Sequence, residues 1–187
     1  MARHNLEERA EKTLRDTEGY RVPVPIHLVA ERLNLTLEAA ALGDKVSGML
    51  VVEGDHGAIG YNSAHARVRQ RFTISHEIAH YLLHVKKNRK SQLFIDRHVT
   101  FRRDGYSSGG VDYEEIEANQ LGAALLMPLG LVQQEIRARD LDLDDSEAID
   151  LLAKRFQVST AAMSNRLQNL RLLAYEIRDK SLRADQC

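Results

Sequence analysis

Between Phe72 and Val85 the chain runs Phe-Thr-Ile-Ser-His-Glu-Ile-Ala-His-Tyr-Leu-Leu-His-Val, and apart from its histidines Glu77 is its only charged residue. At 3.6 residues per turn, Ile74, Ile78, Tyr81, Leu82 and Val85 cover one broad side of a helix, and Phe72, Ala79 and Leu83 cover another. His76, Glu77, His80 and His84 share the narrow stripe that remains. A solvent-facing helix has the reverse balance, a wide charged face and a narrow apolar one. The polar stripe therefore points inward, where such groups are costly unless they bind something. His-Glu-x-x-His is the arrangement that binds a zinc ion. Residues four apart stack on one helix face, so two imidazoles converge on one ion at about 2.0–2.1 Å each. Glu77 then lies beside the ion, placed to take a proton from its water. The plainer alternative is a helix whose histidines only hydrogen-bond within the core.

His84 continues the stripe but lies roughly 12 Å along the axis from His76, too far for both to bind one ion from a rigid helix. It reads as a group behind the ligands, or as a partner for the carbonyls at the helix end. A third ligand must come from elsewhere. Asp112 to Met127 reads as a second helix, stopped by Pro128. On it, Glu117 projects with Tyr113, Leu121, Ala124 and Leu125, so its carboxylate is expected to be buried and in need of a partner. Glu115 projects beside Asn119 and Gly122, which reads as the solvent side, and Glu114 is the reserve. Small residues at Ala118, Gly122, Ala123 and Ala124 would let this helix approach another closely. Two His and one Glu with a fourth position open make a catalytic rather than a structural zinc site. The plainer reading of Glu117 is a carboxylate that complements the helix dipole.

Elsewhere the pattern reads as a helix over Leu6 to Thr17, a short helix over Ile26 to Leu33, and a strand carrying Leu35, Leu37 and Ala39. Val46 to Val52 and Ala58 to Tyr61 read as a hairpin, and the metal helix begins near Ser63. Arg67, Arg69 and Arg71 mark either a positive approach to the site or a solvated face. Leu93 to Phe101 reads as a strand and Gly105 to Gly110 as a mobile loop near the cleft. Glu147 to Phe156 and Thr160 to Leu170 are helices joined by Gln157-Val-Ser159, a spacing similar to a helix-turn-helix. Ser164, Asn165, Arg166 and Gln168 would be its base-contacting residues. Since Arg166 is the only cation between Thr160 and Leu170, a packing appendage is favoured over a DNA reader. Glu176 to Cys187 is polar enough to fray.

Bulk properties point to a cytoplasmic protein. Net charge is −1 and the pI about 6.7, which gives no general attraction to nucleic acid or anionic membrane. The one cysteine, Cys187, rules out an internal disulfide framework. The charged start Met1-Ala-Arg-His-Asn-Leu-Glu-Glu8 lacks the apolar core of a signal peptide, and the apolar stretch Leu121 to Val132 is too short to span a bilayer.

Arg69 to His84 resembles the active-site helix of the ImmA/IrrE family of metallopeptidases. Glu117-Ala-Asn-Gln-Leu-Gly-Ala-Ala-Leu-Leu-Met-Pro128 resembles that family's second signature, whose leading glutamate completes the metal site. The similarity extends through Val46 to Leu50, Phe101 to Asp104 and Phe156 to Leu167. At Leu121-Gly122 relatives usually show Phe-Ala, a departure that alters packing more than chemistry. The chain looks like the short form without a C-terminal sensor domain, often carried by mobile elements. The resemblance implies an α+β, zincin-like fold, with a small antiparallel sheet packed on the helix of His76. Residues 1–128 would form the metallopeptidase core and residues 129–187 a C-terminal helical, helix-turn-helix-like appendage packed on it. It implies a zinc endopeptidase in which His76, His80 and Glu117 hold the ion and Glu77 is the base. Tyr106, Tyr113 and His98 are unranked candidates for stabilising the oxyanion. The implied activity is limited cleavage of a helix-turn-helix repressor encoded nearby, releasing stress-response or mobile-element genes. The competing class is a DNA- or protein-binding regulator with a structural or vestigial metal.

Overall fold

The computed structural model describes residues 2–43, 46–53, 56–85, 92–97 and 109–173. The chain is α+β. Its elements are α1 (Ala2–Asp16), α2 (Ile26–Arg32), β1 (Leu35–Ala40), β2 (Val46–Glu53), β3 (His56–Asn62), α3 (Arg67–His80), a π-helical turn (Tyr81–Val85), β4 (Gln92–Arg97), α4 (Gly109–Leu126), α5 (Leu129–Arg139), α6 (Ser146–Phe156) and α7 (Thr160–Asn169).

In β2 the period-two alternation buries Leu50 and Val52 and leaves Val51 outside. The four strands lie in the order β1-β3-β2-β4. β2 is antiparallel to both β3 and β4, but β1 runs parallel to β3, pairing Leu37 with Ile59. The sheet is therefore mixed rather than antiparallel as expected. Alternation marks which segments are strands, whereas direction depends on neighbours, and two chain reversals separate β1 from β3.

α3 packs on β2, β3, α2 and α4. It begins at Arg67 rather than Ser63, because the Asn62 side chain accepts from the Ala64 amide and holds a turn there. At its far end the π turn exposes carbonyls, and that of Leu82 accepts from Arg9 of α1. Pro128, read as a stop, also opens a helix that the pattern did not suggest. It precedes α5 at a position where a missing amide donor costs nothing. Among the described residues no helix is long and apolar enough to cross a membrane.

One apolar cluster gathers Leu14, Val29, Leu50, Ile59, Ile74 and Leu125 together with Leu152, Phe156 and Leu167, so it runs across position 128. Two buried arginines tie the C-terminal helices into it. Arg71 belongs to neither a solvated face nor an approach to the site. It donates to the carbonyls of Val24 at 2.9 Å, Gln157 at 3.1 Å and Phe156 at 3.4 Å. Gln157 is the left-handed residue (φ 54°) between α6 and α7, so Arg71 clamps the turn of the helix-turn-helix-like unit.

Arg166, a base contact only on the disfavoured DNA reading, is 5% exposed. Its guanidinium grips Glu7 of α1 bidentately at 2.7 and 2.6 Å and donates to the Met127 carbonyl at 2.9 Å. The only cation of α7 thus faces the core. Removing one partner of such a pair strands the other. Arg166→Met is expected to cost about 3 kcal/mol, the low end for a buried pair because the Glu7 carboxylate keeps some contact with water. For a domain of this size that is a fall in Tm of about 6–12 °C. Calorimetry should also show Glu7→Met partly restoring the loss. Full additivity of the two changes would disprove the coupling.

Candidate metal centre

His76 and His80, four apart on α3, are both 3% exposed. Their rings meet edge to face with centroids 4.6 Å apart, and the two Nε2 atoms lie 3.0 Å from one another. Glu115 of α4 completes the group, with Oε2 3.3 Å from His76 Nε2 and Oε1 3.2 Å from His80 Nε2. Those imidazoles, His76 first, hold the Glu115 carboxyl far below the usual carboxylate range, outweighing the opposing effect of burial.

The three residues thus form a triangle, with a separate Glu115 oxygen facing each imidazole and contacts of 3.0 to 3.3 Å. Ligands about 2.0–2.1 Å from a tetrahedral zinc are about 3.3 Å from each other, so each contact is close to that spacing, and one ligand atom from each residue lies within 4.8 Å of the other two. Among the described residues this is the cluster of His, Cys, Asp and Glu able to hold a metal ion. The imidazoles are closed off, but the Glu115 side chain is 43% exposed, so the site opens to solvent on the α4 side.

Glu117 does not reach the histidines. It is exposed, as is Tyr113 at 72%, on the very face expected to be buried. The apolar residues of that face, Leu121, Ala124 and Leu125, do enter the core, but α4 extends beyond it in its first turns. What packs on α3 is the phase of Glu115, Ala118 and Gly122, spaced three, four and seven apart. A Cβ at Gly122 would stand 3.2 Å from both Cα and N of His76 and 3.3 Å from the Ser75 carbonyl carbon. The bare glycine thus lets the helices touch backbone to backbone and sets Glu115 beside the imidazoles, two turns away. The signal was present in the sequence: small residues mark closest approach, and read that way they place Glu115 inward.

Glu77 is fully buried between α3 and β2. A Cβ at Gly48 of β2 would overlap the Thr73 methyl and come within 3.2 Å of Glu77 Oε1, so strand and helix converge here because position 48 carries no side chain. His84 sits in the π turn, its ring 5.6 Å from that of His80, and Nδ1 lies 4.0 Å from Glu114 Oε1. Glu114, the reserve ligand, thus approaches His84 and not the triangle. Of the oxyanion candidates, Tyr113 points to solvent, and His98 and Tyr106 lie outside the described residues, as do Phe101 to Asp104 and positions 105–108 of the expected loop. Gly109 and Gly110 open α4 instead.

A Mycobacterium tuberculosis transcriptional regulator of known structure is similar in fold, with a TM-score of 0.57 at 17% identity over 88% of this chain and 47% of that one. The chain thus spans about half the length of that relative. No curated protein matches it significantly. The model of the IrrE N-terminal-like domain, Peptidase_M78, matches residues 26–168, which takes in α3, the triangle and the C-terminal helices. With most of its length matched, the chain belongs to that family, the ImmA/IrrE metallopeptidases.

Proposed function

We propose that this chain is a zinc-dependent endopeptidase that makes limited, site-specific cuts in a helix-turn-helix repressor, releasing stress-response or mobile-element genes. Membership of a metallopeptidase family implies a peptidase role, a metal and a protein substrate. The observation that carries the finer reading is the triangle, whose contact lengths suit zinc and whose two imidazoles and single carboxylate suit a catalytic ion. His76, His80 and Glu115 are the ligands in this reading. Bound there, zinc would polarise the scissile carbonyl and acidify a water. Glu77, one step round the helix from His76, takes the proton of the attacking water and passes it to the departing amine nitrogen. Its burial removes competing solvent from that transfer.

The division proposed is residues 1–128 as the core and residues 129–187 as the appendage, with Arg71 and Arg166 joining α6 and α7 to the core. Of the alternative, a DNA- or protein-binding regulator with a structural or vestigial metal, the DNA-reading form is disfavoured because Arg166, the cation it needs, is paired with Glu7.

Glu77→Gln is expected to keep one zinc per chain and to abolish cleavage of the repressor encoded beside this gene, a loss of at least about 100-fold. Wild-type protein should leave unstructured casein nearly intact. Cleavage that persists in Glu77→Gln, or brisk digestion of casein, would overturn the reading.

A further inference from the structure

The metal triangle does not end the groove between α3 and α4. One turn back from His76 is Phe72, its ring stacked on the imidazole at 6.5 Å and 23°. One turn on from Glu115 is Asn119. Both line a cavity of about 610 Å³ enclosed by α1, α3, α4 and α7, on the same side of the helix pair as the triangle. The volume lies within the range of built ligand sites, about 300–1,000 Å³. Its wall is apolar and includes Phe72, Ala123, Met127 and Ala162, with the small alanines leaving the room. Around it stand the carboxamides of Asn119, Gln120 and Asn165. Three charged residues line it: Glu7 and Arg166 neutralise one another, and Arg69 donates to the Ser47 hydroxyl at 3.1 Å.

We infer that this cavity is a substrate subsite, taking a bulky apolar side chain of the peptide whose backbone lies across the metal triangle. The inference rests on the peptidase reading above. Three features select the occupant. Continuity through Phe72 and Asn119 places it within a few residues of the cut bond. The apolar wall disfavours an ionised side chain, which would be desolvated there, and Arg69 is turned to Ser47 of β2. Carboxamides carry both donors and acceptors, as a peptide backbone requires, and impose no charge on it. Asn165 and Ala162 belong to α7, so the helix-turn-helix-like unit serves as one wall of the substrate cleft.

Ala162→Trp fills the cavity and spares the α7 cap, because Ser159 Oγ accepts from the backbone amide of Ala162. Ala161→Trp, at an exposed position on the cavity's lining, is the second variant should the first fold poorly. The probe is acetyl-Ala-Ala-Phe-Ala-Ala-amide, with its Phe→Asp counterpart as control, titrated into protein carrying 13C-methyl methionine. The Phe peptide is expected to shift the Met127 signal saturably and to spare Met49 on β2. The Asp peptide and either tryptophan variant should reduce that shift at least tenfold. A Met127 shift that is absent, indifferent to Phe against Asp, or unaffected by both tryptophan variants overturns the inference. A second arm sequences the products of the zinc-loaded protein on a mixed peptide library. An apolar preference at one position near the cut, weakened at least tenfold in the variants while zinc content holds, supports the subsite. Cleavage without that preference overturns the subsite alone. Binding without cleavage of any peptide or of the repressor overturns the peptidase reading, and with it the assignment to substrate.

Discussion

Glu115→Ala is expected to lower zinc affinity at least about 100-fold, while Glu117→Ala leaves it unchanged. Loss of a residue that merely supports a ligand costs about 10–100-fold, so loss of a ligand should cost at least the upper figure. One Glu115 oxygen lies 3.3 Å from His76 Nε2 and the other 3.2 Å from His80 Nε2, close to the spacing of ligands around one zinc. Glu117 is two positions on, about 200° round the helix, and faces solvent. His80→Ala should match Glu115→Ala. Competition with a zinc chelator, together with elemental analysis of the three variants, decides the matter. Equal weakening by Glu115→Ala and Glu117→Ala would mean that α4 sits in another phase; full affinity in Glu115→Ala would remove it from the site.

Gly122→Val should be nearly as damaging, without touching a ligand. A single Cβ there already lies 3.2 Å from the backbone of His76, where ordinary carbon contacts are about 3.5–4.0 Å. Alanine requires the helices to part by a few tenths of an ångström, and its better helix propensity offsets about 0.5–1 kcal/mol of that cost. Gly122→Ala should therefore hold zinc within about threefold of wild type, in keeping with the alanine expected in relatives. Valine adds two methyl groups facing backbone that cannot move aside as a side chain would. Overpacking of this kind costs about 1–3 kcal/mol, and α4 carries Glu115 away as it shifts. Expected results are a Tm lower by about 3–10 °C and zinc affinity down at least about tenfold. A valine variant that binds zinc normally would show that the contact at Gly122 does not set the ligand triangle.

Much of this was legible in the residues alone. An all-round apolar helix with one polar stripe reads as a buried helix, and His76, Glu77 and His80 are indeed buried. Burial of α3 on both sides follows from the same pattern. The strands of the hairpin also showed themselves, because alternation with period two is a local property.

Tertiary structure decided what depends on neighbours. Glu115 and Glu117 are equally carboxylates on one helix, and an apolar face drawn by projection assumes that the whole helix is covered. It is not: α4 extends past the core in its first turns, so Glu117 is exposed above a buried stripe, and the close contact at Gly122 selects the other phase. The parallel pairing of β1 with β3 has the same origin, since strand order is a choice among partners. Arg166 shows it most plainly. A cation in a turn-linked helix pair reads as a possible base contact until Glu7, at the other end of the chain, is seen holding it at 2.6 Å. Periodicity reports which face of an element is apolar; what that face meets is settled only when distant segments pack.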